Sequence, residues 1–252
     1  MRDRPRRGPV RVNPGGAARC SPVVKPVDLW RHEARRAGLP ALLGPPVLAA
    51  LILLLAAFGD RLGSREDNTR WFLMGALERG VPLLAGVVAA SPAGRDPAAE
   101  LRLAIPDGYR PALLRRLAVA LGCVALSSLA VSSVLMASGW WTFAYGGAAG
   151  QLVWLAPSLW LAALGLCCAA ALRSTAAATS LVAFVWTGEQ LFGGVLADNA
   201  AYRLLHLFAT TSWSVDGWPL NRLVLMGTAV PMAAGAWLLL GNAERVLEGE
   251  PG

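Results

Sequence analysis

GRDPAAELRLAIPDGYRPALLRR, residues 94–116, is a polar island carrying five arginines between two apolar stretches. Asp96 is a natural N-cap for a helix whose first position is Pro97, because proline has no amide hydrogen to leave unsatisfied there. The helix reads PAAELRLA and stops before Pro106, whose ring disfavours helical geometry in the residue before it. Leu101 and Ile105 are four positions apart and form an apolar ridge, flanked by Glu100 and Arg102. Asp107-Gly108 makes a turn, and Pro111 starts a second helix that runs through Arg115-Arg116 into the next apolar stretch. The island is therefore a short, stiff helix joined to a long apolar one.

Outward from the island the chain is built of apolar runs. It has 252 residues, 55% hydrophobic and only 15% charged, and its apolar residues cluster in runs of membrane-crossing length. A helix needs about 20 residues to cross a hydrocarbon core. Six spans are expected, at 39–58, 71–90, 117–139, 150–172, 175–197 and 223–240. Pro45-Pro46 should kink or delay the first, and Arg173-Ser174 leaves only a tight turn between the fourth and fifth. The fold class is all-α polytopic membrane protein, since no alternating strand pattern of a barrel occurs.

Residues 1–26, rich in Arg, Pro and Gly, read as a disordered basic tail. Residues 27–38, VDLWRHEARRAG, read as an amphipathic elbow on the inner surface, with Asp28 as cap, Trp30 at the interface and Arg31, Arg35 and Arg36 toward anionic headgroups. A solvated basic tail is the alternative for that segment. The transmembrane domain spans 27–248. Six spans put both termini on one side. Of the 23 basic residues, 17 fall with the termini and the island and 6 on the other face, so termini and island are cytoplasmic. The charge of +7 thus belongs to orientation, and no nucleic-acid partner is expected. A single lysine and the dominance of Ala, Gly, Arg and Leu fit a GC-rich bacterial genome, hence a bacterial cytoplasmic membrane.

Chemistry-bearing patterns are sparse. The two histidines are His32 in the elbow and His206 in the outer loop. There is no His-Glu-x-x-His, no Gly-x-Ser-Gly with a membrane histidine, no aspartate cluster, and no Gly-rich loop ending in Gly-Lys-Ser/Thr. Neither a catalytic residue, a metal nor a cofactor is expected in this chain. Cys20, Cys123, Cys167 and Cys168 have no metal-ligand or disulfide spacing. Glu189, in TGEQLFGG of the fifth span, is either part of a polar pathway or an outer-interface residue bonded to neighbouring helices. Glu78 and Arg79 are adjacent, point to different faces, and are expected at the outer interface. Ser128 with Ser132, and Gly165 with Ala169, are spaced for close helix approach. Residues 202–213 read as an interfacial helix.

The arrangement resembles the permease subunit of the type-2 ABC transporter (ABC-2) class. The elbow at 27–38 is similar to that family's first element. Asp96, Glu100, Leu101, Ala104 and Pro106 resemble its coupling helix between spans two and three. Trp218-Pro219-Leu220-Asn221-Arg222 resembles the start of its sixth span, and Glu244, Arg245 and Leu247 its C-terminal end. The Arg-rich tail and the prolines of span one depart from the pattern. The resemblance implies a non-catalytic subunit that pairs with a second permease, as homodimer or heterodimer. It further implies two cytosolic ATPase subunits, which hold ATP and Mg and dock on Asp96, Glu100, Leu101 and Ile105. An exporter of a hydrophobic or amphipathic substrate follows by the same resemblance. A polytopic membrane enzyme centred on Glu189 or Glu78, or a non-transporting anchor or sensor, are the other classes.

Overall fold

With no water in a bilayer core, each backbone N–H and C=O has to be satisfied within its own segment or by another part of the protein, which favours continuous helices. A computed structural model of the chain describes residues 39–61, 66–93, 109–196, 199–212 and 217–241. Those residues contain helices and turns and no strand. The basic tail, the elbow and the island helix with Asp96, Glu100, Leu101 and Ile105 lie outside them.

Helix α1 is Leu39–Arg61. Helix α2, Glu66–Gly75, continues through a π-helical turn, Ala76–Gly80, into α3, Val81–Ala90, and a closing 3-10 turn, Ser91–Ala93. Then come α4, Tyr109–Ala137; α5, Gly147–Gly150; α6, Leu152–Leu172; and α7, Thr175–Leu196. Two short helices, α8 (Ala200–Leu205) and α9 (Ala209–Ser212), precede α10, Trp218–Leu239. Four helical stretches are long and apolar enough to cross a membrane: Asn68–Ala90, Arg110–Ala137, Gly147–Leu172 and Trp218–Leu239. The apolar part of α1, Ala41–Leu55, is shorter. Helix α7 has 22 residues, but Glu189-Gln190 interrupt its apolar character.

Several helices begin earlier than their apolar runs. The helix of span two starts at Glu66, α4 at Tyr109 and α10 at Trp218. A polar first turn costs nothing in a helix that projects beyond the apolar layer. Pro111 and Pro219 sit in the first turns of α4 and α10, where a missing N–H is tolerated. Pro45 and Pro46 do not delay α1; both lie inside it and leave the carbonyls of Ala41 and Leu42 without a helical donor.

Helix α6 is the hub. It packs most extensively against α3 and α10, and also against α7. Two glycines permit the α3–α6 contact: a Cβ on Gly165 would overlap the Gly86 carbonyl oxygen, and one on Gly86 would stand 3.1 Å from the Leu161 carbonyl oxygen of α6 and 2.7 Å from Val182 Cγ1 of α7. Arg173 ends α6 in the left-handed region, φ 54°, with its N–H on Ala169 O at 2.9 Å, and α7 starts at Thr175. Ser132 joins α4 to the start of α6 through Gln151 Oε1, 2.7 Å away, which also accepts Trp154 Nε1 at 2.8 Å. At the opposite end of the bundle, the Arg110 guanidinium of α4 lies 4.9 Å from the ring centre of Trp237 in α10.

Candidate functional site: a charged floor under a returning segment

The site begins with a proline. Pro82 cannot donate to the carbonyl four residues back, which is that of Glu78, and its ring would collide with that oxygen. The helix widens to a π turn over Ala76–Gly80, just before it. Such single-turn widenings are often found at functional positions. The wide turn presents Glu78 and Arg79, and the Arg79 carbonyl accepts Trp186 Nε1 of α7 at 2.9 Å.

Facing this turn is the segment between α7 and α10, which comes back into the bundle instead of lying on it. His206, Leu207, Phe208 and Ala209 are all at most 5% exposed. Asn199 caps α8 by accepting Ala201 N at 3.0 Å and Tyr202 N at 3.3 Å. The helix then breaks at His206, which is extended at ψ 124°. The carbonyls released there go to a buried side chain: Asn221 Nδ2 of α10 donates to Arg203 O (2.9 Å), Leu204 O (3.0 Å) and His206 O (3.0 Å). Two amide hydrogens serve three acceptors, so at least one bond is shared. The single interfacial helix expected over 202–213 is thus two short helices with a buried bend between them.

At the floor of this segment Arg222 Nη2 donates to Glu78 Oε1 at 2.5 Å, and neither side chain has exposed surface. The same Nη2 reaches Thr210 Oγ1 at 2.5 Å, and Nη1 donates to Leu207 O at 2.9 Å. Both Glu78 oxygens are used: Oε1 also accepts Thr210 N at 2.8 Å and Oε2 accepts Thr211 N at 2.9 Å. One carboxylate therefore ties the π turn, α9 and α10 together. Arg79 lies beside the pair, with Nη2 on Thr211 Oγ1 at 3.1 Å and its guanidinium 5.3 Å from the Trp71 ring centre and 5.9 Å from that of Phe208. Trp218 Nε1 completes the floor by donating to Thr210 Oγ1 at 3.0 Å, and Tyr145 stacks on the Trp218 ring.

No match to this chain emerges from known protein families, characterised proteins or solved structures.

Glu189 of α7 makes a second anchor. Its Oε2 lies 2.6 Å from His206 Nδ1 and accepts Leu207 N at 3.3 Å. Tyr202 bonds the same carboxylate; burial first, then the charge and hydrogen bond of Glu189, push its phenol above the ordinary value. His206 is itself packed between the Tyr202 and Phe208 rings, and Gly193 of α7 leaves room for it.

Glu189 thus has close polar partners in the returning segment. Glu78 is fully buried, and its partners come from α9 and α10. Its adjacency to Arg79 hid its partner, which is on another helix. Arg222, Asn221, His206, Thr210 and Thr211 were not singled out as site residues. The available signal was that Glu78 is a charge inside an apolar run, which needs a partner, and Arg222 stands with opposite charge at the mouth of another. Among the described residues no group of three His, Cys, Asp or Glu side chains is placed to hold a metal.

Proposed function

We propose that this chain is the membrane-spanning permease subunit of an ATP-driven ABC transporter of the ABC-2 type, exporting a hydrophobic or amphipathic substrate. In this reading α1 and α7 span the bilayer too, giving six spans with both termini in the cytoplasm of a bacterial cell. Their 23 and 22 residues correspond to roughly 33–35 Å of helix, enough for the apolar layer. Two copies, or this chain and a related one, enclose the pathway. ATP is hydrolysed on two separate cytosolic subunits docked on residues 96–106.

The observation that carries the reading is the long helix that follows the island in sequence. Asp96, Glu100, Leu101, Ala104 and Pro106 have the order of a coupling helix, and α4 begins at Tyr109, three residues beyond Pro106, and runs unbroken to Ala137. A push on the island would pass into a single long helix. The Arg110–Trp237 contact would share it with α10. The returning segment and its charged floor support the same reading as a brace at the other end of the bundle, holding spans two, five and six together while they tilt.

The test is purification of the tagged protein from its native membrane in mild detergent. A stoichiometric P-loop ATPase should accompany it and be lost on Leu101→Asp or Glu100→Arg, with membrane insertion unchanged. If no ATPase is retained under several detergents, the reading fails. A membrane enzyme is the second reading, favoured by the close His206–Glu189 contact, an acid–base pair in geometry. A turnover abolished by Glu189→Gln, with no ATPase present, would select it.

A further inference from the structure

The helix of span two is made of two unequal halves. Seven of the ten residues of α3 are buried, and among the described residues it packs on α6, α7 and α4. Helix α2 packs chiefly on α1 and more lightly on α9, and Trp71 and Phe72 stand exposed on it. Elements with less packing open at lower cost than the core they adjoin. A cleft of about 300 Å³ follows the seam between α2 and α9. Arg70, Trp71 and Met74 line it from α2, and Thr210 and Thr211 line it from α9. Met74 also clusters with Val153, Ala209 and Trp218 across the seam. Methionine is a side chain that adapts when its neighbours shift.

The π turn between the halves is held fast. Glu78 accepts Thr210 N, Thr211 N and Arg222 Nη2, and the Arg79 carbonyl accepts Trp186 Nε1. The turn is thereby anchored to α7, α9 and α10. Gly75 joins this anchored turn to α2. Its backbone is ordinary right-handed helix, φ −62° and ψ −42°, so no left-handed conformation calls for glycine. Space does not call for it either, since a Cβ there would meet nothing within 4 Å, unlike the crossing at Gly86 and Gly165. What glycine supplies at this joint is a backbone freer to bend than alanine would allow. An anchored turn with a pliable joint is a pivot, and α2, ten residues or roughly 15 Å long, is its arm.

We propose that α2 is a lid that swings about Gly75, parting Met74 from Ala209 and Trp218 and opening the cleft. The bonds of Glu78 stay made throughout, because they belong to the pivot and not to the arm. The lid rests on the fold alone and needs no ATPase.

The experiment uses the full chain in lipid nanodiscs, with Cys20, Cys123, Cys167 and Cys168 changed to Ala, and a water-soluble methanethiosulfonate reagent. Met74 and Val88 are each 4% exposed, the first on the arm and the second in α3. Met74→Cys should be labelled and Val88→Cys should not. Gly75→Ala should slow the labelling of Met74→Cys about fivefold, the helix preference of alanine over glycine at the joint. Gly80→Ala, on the far side of the anchored turn, should leave it unchanged; a Cβ there meets only Leu48 Cδ2, at 3.9 Å. Elution and unfolding temperature check that each variant folds. Where Met74→Cys does not, Ala209→Cys reads the same seam from the opposite wall. Equal labelling of Met74→Cys and Val88→Cys would mean that the bundle opens as a whole, and would overturn the lid. So would a seam cysteine that is never labelled, or a Gly75→Ala effect that is absent or matched by Gly80→Ala. A preparation that shows the lid yet carries no ATPase would refute the transporter reading alone.

Discussion

Arg222 and Glu78 are 144 positions apart in sequence and 2.5 Å apart in space, and neither side chain is exposed. Removing one member of a buried pair strands the other charge, which costs about 3–5 kcal/mol. Glu78→Ala and Arg222→Ala should each lower the unfolding temperature sharply in detergent. The double change to Gln and Met should lose less than the two single losses combined, because no charge is stranded. Strict additivity in thermal unfolding would show that the pair is not coupled.

The Gly86–Gly165 crossing sets a size limit. Gly165→Leu must push α3 away from α6, since even a Cβ there meets backbone oxygen. Gly122 in α4 has nothing within 4 Å of the same position, so Gly122→Ala should be neutral or gain up to about 1 kcal/mol of helix propensity. Thermal unfolding of both variants checks this, and equal destabilisation by the two would contradict the close crossing.

The turn between α6 and α7 depends on Arg173 at φ 54°. A β-branched residue fits that geometry poorly, so Arg173→Val should destabilise by about 1–2 kcal/mol and Arg173→Gly should not. Comparison of their unfolding midpoints decides it.

Alkaline titration should report on Tyr202. Its phenol is held neutral in the fold above the ordinary value near 10. The unfolded chain then releases that proton first, so stability is full below about pH 10 and falls as pH rises beyond it. Tyr202→Phe should remove this part of the alkaline loss, and Glu189→Gln should shrink it by removing the neighbouring charge. Unfolding midpoints against pH in the three proteins measure the effect; identical alkaline slopes would refute it.

The sequence was legible where one segment decides the outcome. Apolar runs became helices, and Arg173-Ser174 became the tight turn its shortness required. Gly165 was readable as a contact glycine, but its partner Gly86 lies in another run, and small-residue spacing does not name a partner. The same limit hid the floor of the site. Glu78, Arg222 and the Thr210–Thr211 amides are far apart in the chain, and only the way the segment before α10 returns brings them together. The bend at His206 was unreadable for a related reason: local propensity favours continuing the helix, and the Asn221 amide that takes its carbonyls arrives from α10.

The π turn at Ala76–Gly80 has one more consequence. An added residue in a helical turn is a phase offset of about 100° between the two halves of the rod. The half before it can aim Leu73 and Met74 at neighbours of its own choosing while the half after it aims Ala85 and Gly86 at α6. A proline in the first turn of α3 thus acts like a twist set in a shaft. Restoring the hydrogen bond, as Pro82→Ala would allow, invites the rod to unwind that offset. The faces of its two ends could then no longer both be right.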